Sequence, residues 1–298
     1  MFHDSATDTV YVSSALWDRH PHVYDTIQTA CTENDIGFRT IHGTPNIWAR
    51  DFMPLQVGDK YVRFAYRKFG INGCNRRYPS MEVPTKVYDI LPDAPQVSRI
   101  ILDGGNVVRC GERAIITDMV FRHNPECERN KLVAKLENLL CATVIIIPSE
   151  PSDTLGHADG IVKWIDPSTL FVNDYPNGCT TYREKLYKIF AKHGIVAKPF
   201  PYAHHKRPRM SEKKFRALHP QADEWNSAYG YYLNFLRVKN LILFPVFGIE
   251  EDNEAARALE QAYPGVTLVP VDCAYLSEEG GLVHCVTWNS VSKSCPHP

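Results

Sequence analysis

Apolar positions along the chain recur in one order: an extended run, a turn, an amphipathic stretch and a second extended run. Thr9-Val10-Tyr11-Val12-Ser13 reads as a strand, residues 22–33 as a helix, and Gly37-Phe38-Arg39-Thr40-Ile41 as a second strand. The order returns over 113–118, 128–140 and 142–147, again over 169–173, 182–193 and 195–200, and again over 241–245, 253–262 and 266–270. The first and second copies lie about twice as far apart as the later ones. Strand candidates at 61–66 and 97–102 fall in that gap, so a degenerate fifth copy is expected there. No single copy can bury its apolar faces alone. Five are expected to pack about an axis with helices outside, as one α/β domain over residues 1–298 that carries a polar insertion at 204–225.

The polar residues that follow the second strands carry the chemistry. After Ile41 comes Asn46-Ile47-Trp48-Ala49-Arg50-Asp51, and after Ile101 comes Leu102-Asp103-Gly104-Gly105-Asn106. After Ile147 comes Gly156-His157-Ala158-Asp159-Gly160, and after Pro270 comes Gly280-Gly281-Leu282-Val283-His284-Cys285. Equivalent points of units around one axis converge on one central pocket, so these four stretches are expected to build a composite site. Read alone, Arg50-Asp51 is a surface ion pair and Asp103-Gly104-Gly105 a turn; their place in the repeat argues otherwise.

Composition narrows the function. The 33 basic and 34 acidic residues leave a formal charge of −1, which gives no field to recruit nucleic acid or an anionic membrane. The opening Met1-Phe2-His3-Asp4-Ser5 lacks a basic start before an apolar run, and a cytoplasmic protein is expected. Nine cysteines are scattered without a C-x-x-C pair, which argues against a disulfide framework and a zinc knuckle. No ligand set has metal spacing, so neither metal nor cofactor is expected.

Cys285 between a glycine turn and a short apolar run reads as a presented nucleophile. His157 supplies a base, and Asp51, Asp103 and Asp159 supply three carboxylates. Those carboxylates would repel an acyl oxyanion, so the substrate is expected to be a cation. A guanidinium fits, because its forked N–H donors match carboxylates and its central carbon is the electrophile. The alternation in His157-Ala158-Asp159 puts both side chains on one face of an extended segment. His284 would point to the opposite face of a strand from Cys285 and pack. The cluster His204-His205-Lys206-Arg207 reads as a solvated loop, and Tyr229, Tyr231 and Tyr232 as strand packing.

These residues resemble the guanidine-modifying (pentein) superfamily, most closely its agmatine deiminase and bacterial peptidylarginine deiminase branch. The resemblance rests on Trp48-Ala49-Arg50-Asp51, Leu102 to Asn106, Thr117-Asp118 to Asn124-Pro125, His157-Ala158-Asp159, Tyr232-Leu233-Asn234-Phe235 and Gly280 to Cys285, in family order over nearly the whole chain. It implies a five-bladed α/β propeller of pseudo-fivefold symmetry. It also implies that Cys285 attacks the guanidinium carbon with loss of ammonia, and that His157 serves as acid and then base. Asp51 and Asp159 would grip the guanidinium, Asp103 would orient His157, and Trp48 and Asn234 would stand at the substrate.

The chain departs from the family in having Asp103 where agmatine deiminases have Glu, Phe52-Met53-Pro54 after Asp51, and Glu279 where a third glycine is common. Glu279 at the mouth would favour a second positive charge on the substrate, so agmatine, giving N-carbamoylputrescine, is expected. The alternatives are deimination of peptidylarginine or another arginine derivative, amidino transfer to an amine, and binding of a guanidinium without turnover. The expected partners are the small guanidinium substrate and, at most, a second copy of the chain.

Overall fold

Runs that are apolar throughout become central strands, and runs that alternate become flanking ones. The computed structural model describes residues 4–66, 83–151, 153, 155–176, 180–206, 213–214, 217 and 227–292. Most of the 204–225 insertion, including Arg207 and Arg209, lies outside them.

Five three-stranded sheets are built to one plan. In the first, β1 (Thr9–Ser13) pairs in parallel with β2 (Gly37–Ile41). In the second, the short β3 (Leu55–Val57) turns back antiparallel on β4 (Lys60–Ala65), which pairs in parallel with β5 (Gln96–Ile101). The plan repeats with β6 (Val108–Cys110), β7 (Arg113–Thr117) and β8 (Thr143–Ile147), then with β9 (Val162–Asp166), β10 (Thr169–Asn173) and β11 (Val196–Phe200). It repeats once more with β12 (Leu236–Val238), β13 (Leu241–Val246) and β14 (Thr267–Asp272). The last strand, β15 (Thr287–Ser290), returns antiparallel to β1, Thr9 opposite Ser290, and completes the first sheet.

Each parallel pair needs a crossover, and a helix supplies it. Pro21–Glu33 buries Val23, Ile27, Ala30 and Cys31, a stripe at helical spacing. Arg129–Leu140 buries Leu132, Leu136 and Leu140, and Glu251–Ala262 buries Ala255 and Leu259. Thr180–Lys192 makes the fourth crossover, with Leu186 and Phe190 fully buried. In the second unit the described part of the crossover is a 3-10 helix, Thr85–Ile90. That is why its repeat looks degenerate in the sequence.

The burial pattern of the outer strands positions the site. In β2, β5 and β11 the early residues are exposed or half-buried and the last, Ile41, Ile101 and Phe200, are buried. These strands dive into the core at their C-terminal ends. The segments that follow β2, β5 and β8 thereby start from inside the molecule. Among the described residues, no helix is long and apolar enough to cross a membrane.

Candidate active site

Each of the four polar segments condenses into a single helical turn. The Asn46 side chain accepts from the Trp48 N–H at 2.9 Å and starts the turn Ala49–Phe52, which presents Asp51. Asp103 stands extended before the 3-10 turn Gly104–Asn106, and His157 stands extended before the 3-10 turn Ala158–Gly160. Asp159 therefore lies within a turn rather than on the extended segment expected for it. Cys285 sits in the one-turn helix Val283–Val286, not in a strand. A relay of hydrogen bonds ties two of the turns together. Asn106 accepts from the Thr117 N–H at 3.0 Å, and the Thr117 hydroxyl donates to the Gly156 carbonyl at 2.6 Å, next to His157.

The structure brings Cys285, His157, Asp51, Asp103, Asp159 and Asn234 together. His157 Nε2 is 3.1 Å from Asp103 Oδ2, and its Nδ1 is 3.7 Å from Asp51 Oδ1. Asp51 Oδ1 accepts from the Gly105 N–H at 2.9 Å. The Cys285 thiol donates to Asn234 Oδ1 at 3.3 Å and lies 4.0 Å from Asp159 Oδ2. Gly105 stands at the focus of this arrangement. A Cβ there would fall 2.7 Å from Asp51 Oδ1, 2.9 Å from His157 Nδ1 and 3.2 Å from Asp159 Oδ2, so only glycine leaves the three groups facing one another.

Charge follows from burial. Removal from water raises the Asp51 carboxyl to about 7 and raises that of Asp159, and nearby carboxylates add to the effect on both. Burial alone would lower the His157 imidazole, but Asp51, the hydrogen bond to Asp103 and the charge of Asp159 outweigh it and hold it up at about 10. Burial and the carboxylates of Asp159 and Asp51 push the Cys285 thiol well up. The resting site is thus an imidazolium among carboxylates beside a protonated thiol. It lacks the positive charge that would ionise the sulfur.

Two expectations are corrected here. Glu279 does not face a substrate: its carboxylate pairs with Arg19 and with His20 Nε2, the latter at 3.1 Å, and is nearly buried there. Trp48, half-buried, props the glycine turn beside Cys285. A Cβ on Gly281 would come within 2.4 Å of the Trp48 ring and 3.0 Å of Cys285 Cβ. His284 is no mere packing residue, since its Nδ1 is 2.7 Å from Asp159 Oδ2. Burial, Arg50 and Lys163 push this imidazole well down, so it is neutral and donates that hydrogen bond.

Arg50 also turns away from Asp51. It donates to the His284 carbonyl at 3.3 Å and to Asn289 Oδ1 at 2.7 Å. Of the tyrosines, Tyr229 and Tyr232 are buried in irregular chain rather than in a strand. Tyr231 lines the cleft and donates to Glu150 at 2.8 Å. Lys206, in the basic cluster, pairs with Glu251.

The cleft is bordered by Asp153, His157, Asp159, Tyr231, Asn234 and Cys285 among others, with no Lys or Arg among its described lining residues. Asp153 is the group that reading the sequence missed. Its side chain accepts from the Leu155 N–H at 2.9 Å and the His157 N–H at 3.3 Å, an Asx turn whose only signal in the sequence is an Asp shortly before the histidine.

A family model for Porphyromonas-type peptidyl-arginine deiminases matches residues 9–290. The chain is 29% identical over 210 residues to an agmatine deiminase of Ectopseudomonas mendocina, covering 63% of this chain and 56% of that protein. It spans about six-tenths of the length of the curated relatives it matches. The fold is shared with the agmatine deiminase of Enterococcus faecalis, at a TM-score of 0.74 and 17% identity, over 96% of this chain and 93% of that one. It is shared also with a cysteine-to-serine form of the C. jejuni agmatine deiminase with substrate bound, at a TM-score of 0.72 and 16% identity, over 98% and 96% of the two chains.

Two outcomes are expected from this geometry. Gly105→Ala drives a methyl group into Asp51 and His157 and should lower kcat/KM by on the order of 10²-fold or more, while far-ultraviolet circular dichroism stays unchanged. Wild-type activity in that variant would mean that the focus lies elsewhere. In a histidine NMR titration, His157 should lose its proton near pH 10, and Asp103→Asn should move that midpoint down. Because the folded value lies above the ordinary 6.5, the stability that this imidazolium contributes is complete below about pH 6.5 and is lost as pH rises through about 10.

Proposed function

As the chain belongs to the Porphyromonas-type peptidyl-arginine deiminase family, we propose that it is a guanidine deiminase that converts agmatine to N-carbamoylputrescine and ammonia. The observation that carries this reading is the meeting of Asp51, His157 and Asp159 about Gly105, with Asp103 on the imidazole and the Cys285 thiol beside Asp159, a site short of one positive charge. A guanidinium seated on Asp51 and Asp159 supplies that charge. It lowers the Cys285 thiol toward ionisation, and the thiol proton leaves for solvent.

The thiolate then attacks the guanidinium carbon. His157 gives its proton to the departing nitrogen, ammonia leaves, and an S-linked thiouronium remains. The neutral imidazole next takes a proton from water as the oxygen adds to that carbon. Collapse breaks the C–S bond and returns the hydroxyl proton to sulfur, releasing the ureido product. Asp103 keeps His157 oriented and cationic, and Asn234 holds the sulfur at the start of the cycle.

The substrate tail is read from the cleft wall. An α-carboxylate would seek a cation, and neither Lys nor Arg is found among the described lining residues, where His157 is already matched to Asp51 and Asp103; Asp153 offers an anion instead, which suits the terminal amine of agmatine. Asp153 thus takes the part first expected of Glu279. The family description supports a second reading, deimination of arginine within a peptide. The wider proposal is a single domain whose five sheets are blades about one axis, cytoplasmic, acting alone or as a pair of copies, with no cofactor.

Cys285→Ala should lower kcat by a factor on the order of 10³ or more, read as ammonia and ureido product released from agmatine. Turnover at the wild-type rate would end the assignment. Asp153→Asn should raise the KM for agmatine about tenfold with kcat little changed. A panel of agmatine, free arginine and arginine peptides separates the two readings: deimination of peptides with none of agmatine gives the second. Product formed only when an acceptor amine is added would make the enzyme a transferase.

A further inference from the structure

A second cavity lies behind the first and shares none of its described lining residues. His284 borders one, Asp159 borders the other, and the hydrogen bond between them is the partition. The described lining of the rear cavity includes three cations, Arg50, Arg109 and Lys163, against one carboxylate, that of Asp4. Lys163 is 3% exposed and Arg50 8%.

The partners of these cations are almost all neutral. Arg50 donates to the His284 carbonyl and to Asn289, and Lys163 donates to the Phe235 carbonyl at 3.0 Å. Arg109 donates through Nη2 to the Gln56 carbonyl at 2.7 Å, while its buried Nη1 has no partner. Asp4 pairs with Lys163 at 3.3 Å. Among the described lining residues the three cations therefore face a single carboxylate. Buried cations are costly unless paired. Burial pushes all three groups down, Arg109 to about 10, and the Arg50 charge adds to the effect on both Arg109 and Lys163.

We propose that the rear cavity is a binding site for a small monovalent anion such as chloride, held by the free Nη1 of Arg109 together with Lys163 and Arg50. Asp4, on the 3-10 turn Asp4–Ala6, is a built-in competitor: it pairs with Lys163, and its charge also acts on Arg109 and Arg50. The site is separate from the guanidinium cleft in sign as well as place: one attracts a cation, the other an anion. Arg50 links them, because it holds the backbone of His284 next to Cys285.

Thermal unfolding of the full chain in sodium chloride, at constant ionic strength with sodium gluconate as the bulky replacement, tests the proposal. The midpoint temperature should rise saturably with chloride, as it does when a ligand binds only the native state. Arg109→Gln should abolish the rise. Asp4→Asn should shift the half-saturating chloride concentration down by about tenfold or more, since it removes a nearby negative charge, and this variant carries the test if Arg109→Gln does not fold. Crystals grown in sodium bromide should show an anomalous peak against Arg109 and Lys163. An equal response to chloride and gluconate, an unchanged half-saturation in Asp4→Asn, or no bromide peak there would each overturn the proposal.

Discussion

Three carboxylates buried around one imidazole and one thiol cannot all be charged in the absence of a counter-ion, and the rest of the site is arranged around that constraint. His157 answers part of it by staying protonated between Asp51 and Asp103. His284 answers another part as a neutral donor to Asp159. The thiol answers the remainder by keeping its proton. On the function proposed, such a site would bind a cation for the same reason that it cannot ionise its own sulfur, so recognition and activation would be one electrostatic event. A neutral molecule of the same shape would meet a thiol that is poorly nucleophilic.

The scaffold enforces this crowding with backbone more than with side chains. Turns of three or four residues deliver Asp51, Asp159 and Cys285, and the extended residues before two such turns deliver Asp103 and His157. Short turns on the buried ends of strands leave little freedom for the groups to drift apart, which is what close positioning for catalysis requires.

Much of this was legible in the sequence because the repeat was. The parallel strand pairs and their crossover helices announce themselves through apolar periodicity, and the reactive groups fall at matching points of the repeats. The short antiparallel strands were not legible. Strands such as Leu55–Val57 and Val108–Cys110 are three residues long, joined to their partners by tight turns with Gly58 and Gly111 at positive φ, and too brief to show a period. Contacts between distant segments were also hidden. Nothing local to Glu279 signals that Arg19 and His20 claim it, and nothing beside Cys285 says that His284 serves Asp159 from within a helical turn. The carboxylate of Asp153 escaped notice because its turn lies outside the repeated pattern. Each of these partners is decided by packing across the molecule.

The pairing of β15 with β1 sets the order in which the protein comes into being. The nucleophile lies two residues before a strand whose partner is Thr9–Ser13, at the other end of the sequence. Contacts of such separation form late and slowly. During synthesis, Asp51, Asp103, His157, Asp159 and Asn234 leave the ribosome before the sulfur and the strand that locks it in place. The sulfur that we propose as the nucleophile therefore joins those groups only when the last strand completes the first sheet.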